Sequence, residues 1–284
     1  MGHVNVDYQR GVDASADTVL GLSGFWGDCP ILGSLENRRK AFGHIEDGLG
    51  IPDLGASGSV NGYDVTMDAT GTPNFGSDAR SGGGLIIKTG TDDNDEINWA
   101  YGGDTAAPFR ISDASSEKAK LWFEFAILPS LITATQNGWF MGLCEVGGIA
   151  LDALIDDDGG IDSARDLVGF FKPEGDAGTV DFIYQKGSQT LQTVLNGWTT
   201  LNVSTPTKLG MVYDPNAPAA EQIRVYVNGV PETSAYVTAA LIAVSASTGF
   251  PDAIMMAPTF GVKNADASAQ TNKMPFWGCY QLRV

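Results

Sequence analysis

The stretch LWFEFAIL, residues 121–128, decides the fold class. On an extended chain, successive side chains point to opposite faces. Leu121, Phe123, Phe125 and Ile127 therefore share one face, and Trp122, Glu124, Ala126 and Leu128 share the other. Both faces are largely apolar, which is the pattern of a central strand covered on both sides. Glu124 interrupts it. An isolated buried carboxylate is costly, so Glu124 is expected at the rim, bonded to a neighbouring lysine or amide.

The same period of two recurs along the chain. IRVYVNGVPE (223–232) alternates Ile223, Val225 and Val227 against Arg224 and Tyr226, then supplies the Asn228-Gly229 pair that a tight type I′ turn prefers. Further strands are expected over 63–67, 84–88, 96–101, 120–128, 139–144, 167–172, 180–185, 190–195, 208–213, 258–262 and 276–283. Turn-rich stretches such as GTPNFGSD, KGSQ and YDPNAP separate them. Many short strands at this spacing, without long helical patterns between them, predict an all-β chain built as a two-sheet antiparallel sandwich. Between these strands a helical turn is expected over 238–246.

Residues 1–55 read differently. Their periodicity is weak, and they hold the apolar island FWGDCPIL and the charged patch ENRRK. We read 1–55 as an N-terminal arm and 56–284 as the sandwich domain. Phe25 and Trp26, with Ile31 and Leu32, are too apolar for a free tail and mark a docking element, seated either on its own domain or on a neighbour. A short helix over 35–42, capped by Ser34, is expected within the arm.

Composition narrows the function. With 34 acidic and 17 basic residues, the 284-residue chain carries a net charge of −17. That argues against nucleic acid and against anionic membrane surfaces, which need clustered lysine and arginine. No apolar run approaches a membrane span, and the first residues lack a signal-peptide pattern, so synthesis in a cytoplasm is expected. Cys29, Cys144 and Cys279 are odd in number and widely spaced, which predicts reduced, partly buried thiols.

Catalytic constellations are hard to assemble. Both histidines, His3 and His44, fall in the arm, away from any nucleophile of the expected sandwich. Glu124 stands alone on its strand, and Asp181 has Ile183 and Gln185 as same-face neighbours, so the paired carboxylates of a glycosidase are missing. Two acidic runs remain: TDDNDEIN, with Asp92, Asp93, Asp95 and Glu96, and LIDDDGGID, with Asp156, Asp157, Asp158 and Asp162. Such oxygen-rich loops suit structural calcium, and Asp156, Asp157 and Asp158 are the metal candidates. The chain is otherwise expected to need no cofactor. Trp99, Trp139, Trp198 and Trp277 are candidates to stack on sugars or to fill the core.

The ordered series KLWFEFAILPS, GWFMGLCE, DSARDLVGFFKPEGD, VDFIYQKGSQT, TKLGMVYDP, IRVYVNGV and APTFGVKNADASAQT, preceded by FWGDCPIL, resembles the concanavalin A-like jelly-roll structural proteins of tailed bacteriophages. Part of it also recurs in laminin-G-like lectin modules. The resemblance implies a jelly-roll sandwich and a non-enzymatic virion component, a capsid decoration or cement protein. Such a protein contacts the major capsid protein on the head surface and assembles as a homo-oligomer, with a trimer favoured. The alternative is a carbohydrate-binding, lectin-like module that adsorbs to host glycans.

Overall fold

The computed structural model describes residues 24–26, 28–30, 41–46, 54, 56–68, 74–77, 84–102, 106–114, 116–133, 137–157, 159–243 and 249–283. Their strands form two eight-stranded sheets in which every pairing is antiparallel. The first sheet contains β1 (Ala41–Glu46), β4 (Asn74–Ser77), β5 (Leu85–Lys88), β7 (Leu121–Pro129), β12 (Thr207–Tyr213), β13 (Ile223–Val227), β14 (Val230–Pro231) and β16 (Thr271–Leu282). Its order is β14-β13-β12-β7-β16-β5-β4, and β1 pairs with the far half of β16. The second sheet contains β2 (Gly58–Val60), β3 (Tyr63–Met67), β6 (Glu96–Tyr101), β8 (Asn137–Glu145), β9 (Leu167–Lys172), β10 (Thr179–Gln185), β11 (Gln192–Thr200) and β15 (Met256–Asn264). Its order is β11-β10-β9-β8-β15-β6-β3-β2.

The alternation read from the sequence sets the layers. Leu121, Phe123, Phe125 and Ile127 of β7 face Trp139, Met141 and Leu143 of β8 and Phe260 and Val262 of β15 in one buried core. Its aromatic rings meet edge-on, as between Phe125 and Phe170 with centroids 5.6 Å apart, or stacked, as between Trp139 and Phe260 at 6.4 Å. Polar ties also cross between the sheets. Trp277 Nε1 donates to the Tyr63 hydroxyl at 2.8 Å, and Thr89 Oγ1 donates to Asn264 Oδ1 at 2.6 Å. Both satisfy groups that would otherwise be buried unpaired.

All the strands expected from the sequence are present, and four more join them: β1, β2, β4 and β14. The added strands are short or rich in glycine and polar residues, so periodicity alone does not reveal them. β1 is the one that matters for function, because it takes Ala41 and Phe42 into a strand where a helix was expected; 34–40 lie outside the described residues. It also carries His44 into the sandwich. His44 stacks on Tyr101 of β6 with centroids 4.2 Å apart, and its Nδ1 is hydrogen-bonded to the Tyr101 hydroxyl at 2.9 Å. His44 Nε2 lies 3.3 Å from Glu46 Oε2. The histidine thus closes the seam between the sheets. The single α-helical turn among the described residues, α1 (Ala239–Ile242), is capped by Thr238, whose Oγ1 accepts from the Leu241 N–H. The cysteine thiols are free and buried.

Candidate functional site

The outer face of the first sheet is where the arm meets the sandwich. Glu124 projects outward from the middle of β7, opposite Gly210 of β12 on one side and Gly278 of β16 on the other. This row of glycine, glutamate and glycine forms a socket. Phe25 lies over Gly210 so closely that a Cβ there would come within 2.9 Å of its ring, and Trp26 lies over Gly278, where the same atom would meet the indole at 3.1 Å. Glycine inside a strand commonly marks such a close approach. Between the two rings, Trp26 Nε1 donates to Glu124 Oε2 at 2.7 Å. Glu124 is fully buried, not at the rim, and its partner here is an indole from 98 residues away in sequence.

The arm therefore seats on its own chain. Phe25 and Trp26 form a buried cluster with Cys29, Trp122, Val212 and Tyr280. Phe25 meets Tyr226 edge-on at 4.9 Å, and Trp26 meets Tyr280 at 6.0 Å. Ile31 and Leu32 lie outside the described residues. Asp28 extends the contact: its Oδ1 accepts from Trp122 Nε1 at 2.9 Å, and its Oδ2 pairs with Lys120 at 2.5 Å. Lys120 also pairs with Asp214 at 2.7 Å and lies over the Trp122 ring. Beside these groups runs a groove of about 440 Å³, lined by Phe25, Lys120, Asp214, Arg224, Tyr226 and Pro231. The docked arm supplies one wall of it. Sequence reading missed the groove because its walls are far apart in sequence; the outward-facing glycines of β12 and β16 were the available signal for the socket.

The outer face of the second sheet is also covered, by the segment 146–166. Leu154, Ile155 and Ile161 pack on Phe140, Cys144, Phe171 and Ile183. Leu154 fills the space over Gly261, where a Cβ would meet its Cδ2 at 2.5 Å. The acidic run anchors this cover. Lys263, 2% exposed, pairs with Asp157 Oδ1 at 2.6 Å and with Asp152, and donates to Ile155 O at 3.3 Å. Asp157, a metal candidate, thus has an ammonium partner; the Asp156 N–H donates to Gly160 O at 2.9 Å, and Asp158 lies outside the described residues. Among the described residues no three acidic, histidine or cysteine side chains converge as a metal site.

Glu96 latches the same cover. Its Oε1 accepts from the Asp152 N–H at 2.5 Å and its Oε2 from Asn98 Nδ2 at 3.2 Å. Burial pushes its carboxyl up to about 7, against the pull of the Asp152 N–H and Lys263. Asp181 is buried too, pushed up by burial, with Oδ1 accepting from the Gly197 N–H at 2.6 Å. Trp99, Trp139 and Trp277 are core residues, whereas Trp198 is half-buried and donates from Nε1 to Glu232 at 2.7 Å.

These contacts yield three expectations. Replacing Trp26 by Phe removes the indole donor to buried Glu124 Oε2 and should cost about 2–3 kcal/mol in denaturant unfolding, while adding Glu124→Leu to that variant should recover much of the loss. Gly210→Leu should lift the arm, read as a red shift and stronger quenching of Trp26 emission against a W26F blank. Because the folded carboxyl of Glu96 titrates above its unfolded value, its contribution is full below about pH 4.5 and is lost as pH rises through about 7. E96Q should therefore gain on wild type by about 2–3 kcal/mol between pH 5 and pH 8; a difference independent of pH would contradict the assignment.

No protein-family model matches the sequence, and no curated protein matches it. Solved structures do. A protein of unknown function from Shewanella oneidensis MR-1 superposes with a TM-score of 0.52 at 14% identity, over 93% of this chain and 97% of that one. An endo-1,3-beta-glucanase from Streptomyces sioyaensis gives 0.50 at 14% identity, over 85% and 96%. Peanut lectin gives 0.47 at 16% identity, over 86% and 99%. Likeness at this level of identity concerns the fold: the chain is an antiparallel jelly-roll sandwich of the concanavalin A-like kind.

Proposed function

We propose that the chain is a non-enzymatic structural protein of a tailed-phage virion, a capsid decoration or cement protein. It binds the major capsid protein on the head surface as a homo-oligomer, and it is made in the host cytoplasm. One observation carries the non-catalytic part. Both outer faces of the sandwich are covered by the chain's own segments, the first by Phe25–Trp26 and the second by 146–166. The carboxylates on those faces are occupied in holding the covers. Glu124 accepts from Trp26, Glu96 from Asp152 and Asn98, and Asp157 pairs with Lys263. A body closed in this way resists deformation and aims its loops at neighbours, which suits a clamp across capsomer joints. The ordered sequence motifs support the virion setting, and the charge of −17 keeps free subunits apart until they meet a complementary shell.

The arm-walled groove favours a second reading. Its Tyr226 and Phe25 rings stand beside Lys120, Arg224 and Asp214, a mixture of apolar and hydrogen-bonding surface that suits a saccharide. In this reading the chain adsorbs to host glycans. The glucanase neighbour shares the fold; in this chain Glu124 accepts from Trp26 and Asp181 from the Gly197 N–H.

Particles with and without the protein separate the readings. As a cement protein, its omission leaves heads that assemble but release their genome at lower temperature. Equal release temperatures, together with glycan binding abolished by Tyr226→Ala, would replace the first reading with the second. Turnover of a polysaccharide that is lost in Glu96→Gln or Asp181→Asn would overturn both.

A further inference from the structure

A second groove, of about 540 Å³, opens at one end of the sandwich, lined by Phe42, Pro108, Arg110, Glu117, Met255 and Arg283. Its lining is part apolar and part guanidinium. Phe42 stacks on Phe109 with centroids 5.3 Å apart, and the Arg283 guanidinium lies over the Phe42 ring at 5.2 Å. The backbone of Arg110 is clamped: its N–H donates to Gln281 Oε1 at 3.2 Å, and Gln281 Nε2 donates back to Arg110 O at 2.5 Å. Arg110 Nη1 pairs with Glu117 at 2.9 Å, which uses only part of its donor fork. Arg283 is exposed, and no acid among the described residues pairs with it. Met255 is exposed as well.

The opposite end is acidic. β15 and β16 fix the two ends. Met255 and Arg283 flank these strands at the groove, whereas Asn264, at the far end of β15, donates from Nδ2 to Asp92 O at 3.1 Å. The described connections at that far end carry Asp68, Asp92, Asp93, Glu174, Asp176 and Asp266, with no lysine or arginine. Every lysine and arginine of the described connections lies at the groove end, interspersed there with acids. Asp92 and Asp93 are exposed in the turn between β5 and β6. β16 spans 12 residues, so the groove and this turn are about 40 Å apart. A turn that distant cannot reach the groove of its own chain.

We infer that the groove receives the Asp92-Asp93 turn of a second copy, so that the chain associates head to tail. The two patches are complementary in charge, and a guanidinium fork matches a carboxylate in shape. Surface ion pairs are individually weak, so two arginines facing two aspartates, with Met255 covered beside them, set the register together. The contact joins two different patches and is therefore heterologous: copies add in one direction until a ring closes. It gives the homo-oligomer of the proposed function its interface and rests on that part of the reading alone. The net charge of −17 opposes the encounter and keeps the association weak.

The test is sedimentation velocity of the full chain at constant ionic strength, over about 10 μM to 1 mM, the range of weak interfaces. Wild type should associate as its concentration rises. Asp92→Asn with Asp93→Asn, and separately Arg110→Gln with Arg283→Gln, should each weaken the association about tenfold. Each variant keeps the patch that the other lacks, so a mixture of the two should form a one-to-one dimer that does not grow. If the arginine variant does not fold, the aspartate variant decides alone. A wild-type chain that stays monomeric would overturn the inference together with the homo-oligomer of the proposed function, and would leave the groove to an acidic segment of another protein. Association undiminished in either variant, or two weakened variants that do not pair when mixed, would overturn the inference alone.

Discussion

A carboxylate buried in the middle of a sheet dictates much of this molecule. Glu124 sits on the central strand of the first sheet, flanked by Gly210 and Gly278 and sealed from water. A charge in that position is tolerable only with a donor at hand. The Trp26 indole supplies one, and the two glycines leave room for Phe25 and Trp26 to approach the strands closely beside it. The arm is therefore part of the sandwich, and removing it would expose Trp122, Val212 and Tyr280 together with the Glu124 carboxylate.

The second sheet uses the same device. Leu154 rests over Gly261 as Phe25 and Trp26 rest over theirs, and the polar anchor is Lys263 with Asp152 and Asp157 in place of the indole and Glu124. In each case an apolar side chain approaches a strand through a missing Cβ, and a directional polar contact fixes the segment in place. Both sheets thus spend their outer faces on internal packing. Among the described residues, the groove between the arm and Tyr226 stays open beside the first of these covers.

The strands were legible because each is a local period-two pattern, and β7 announced two covered faces outright. The identity of its cover was not legible, since the contact joins residues 98 positions apart and the arm has no periodicity of its own. A lone acid in an apolar strand normally belongs at the rim; the indole that overrides the rule for Glu124 comes from outside the strand. By sequence His44 falls in the arm, yet the six residues of β1 carry it to Tyr101. Asp157 looked like a cation ligand in a run of aspartates and has a lysine for its cation. Among the charged groups, residue type and spacing gave the chemistry available, whereas strand pairing chose the partner.

The central claim is that the arm is an integral layer on the first sheet. Hydrogen–deuterium exchange compares the full chain with one that lacks residues 1–30. The account predicts faster exchange for amides of β7 and its neighbours β12 and β16, with β8, β9 and β10 unchanged. Protection of β7 that is the same in both chains would contradict it.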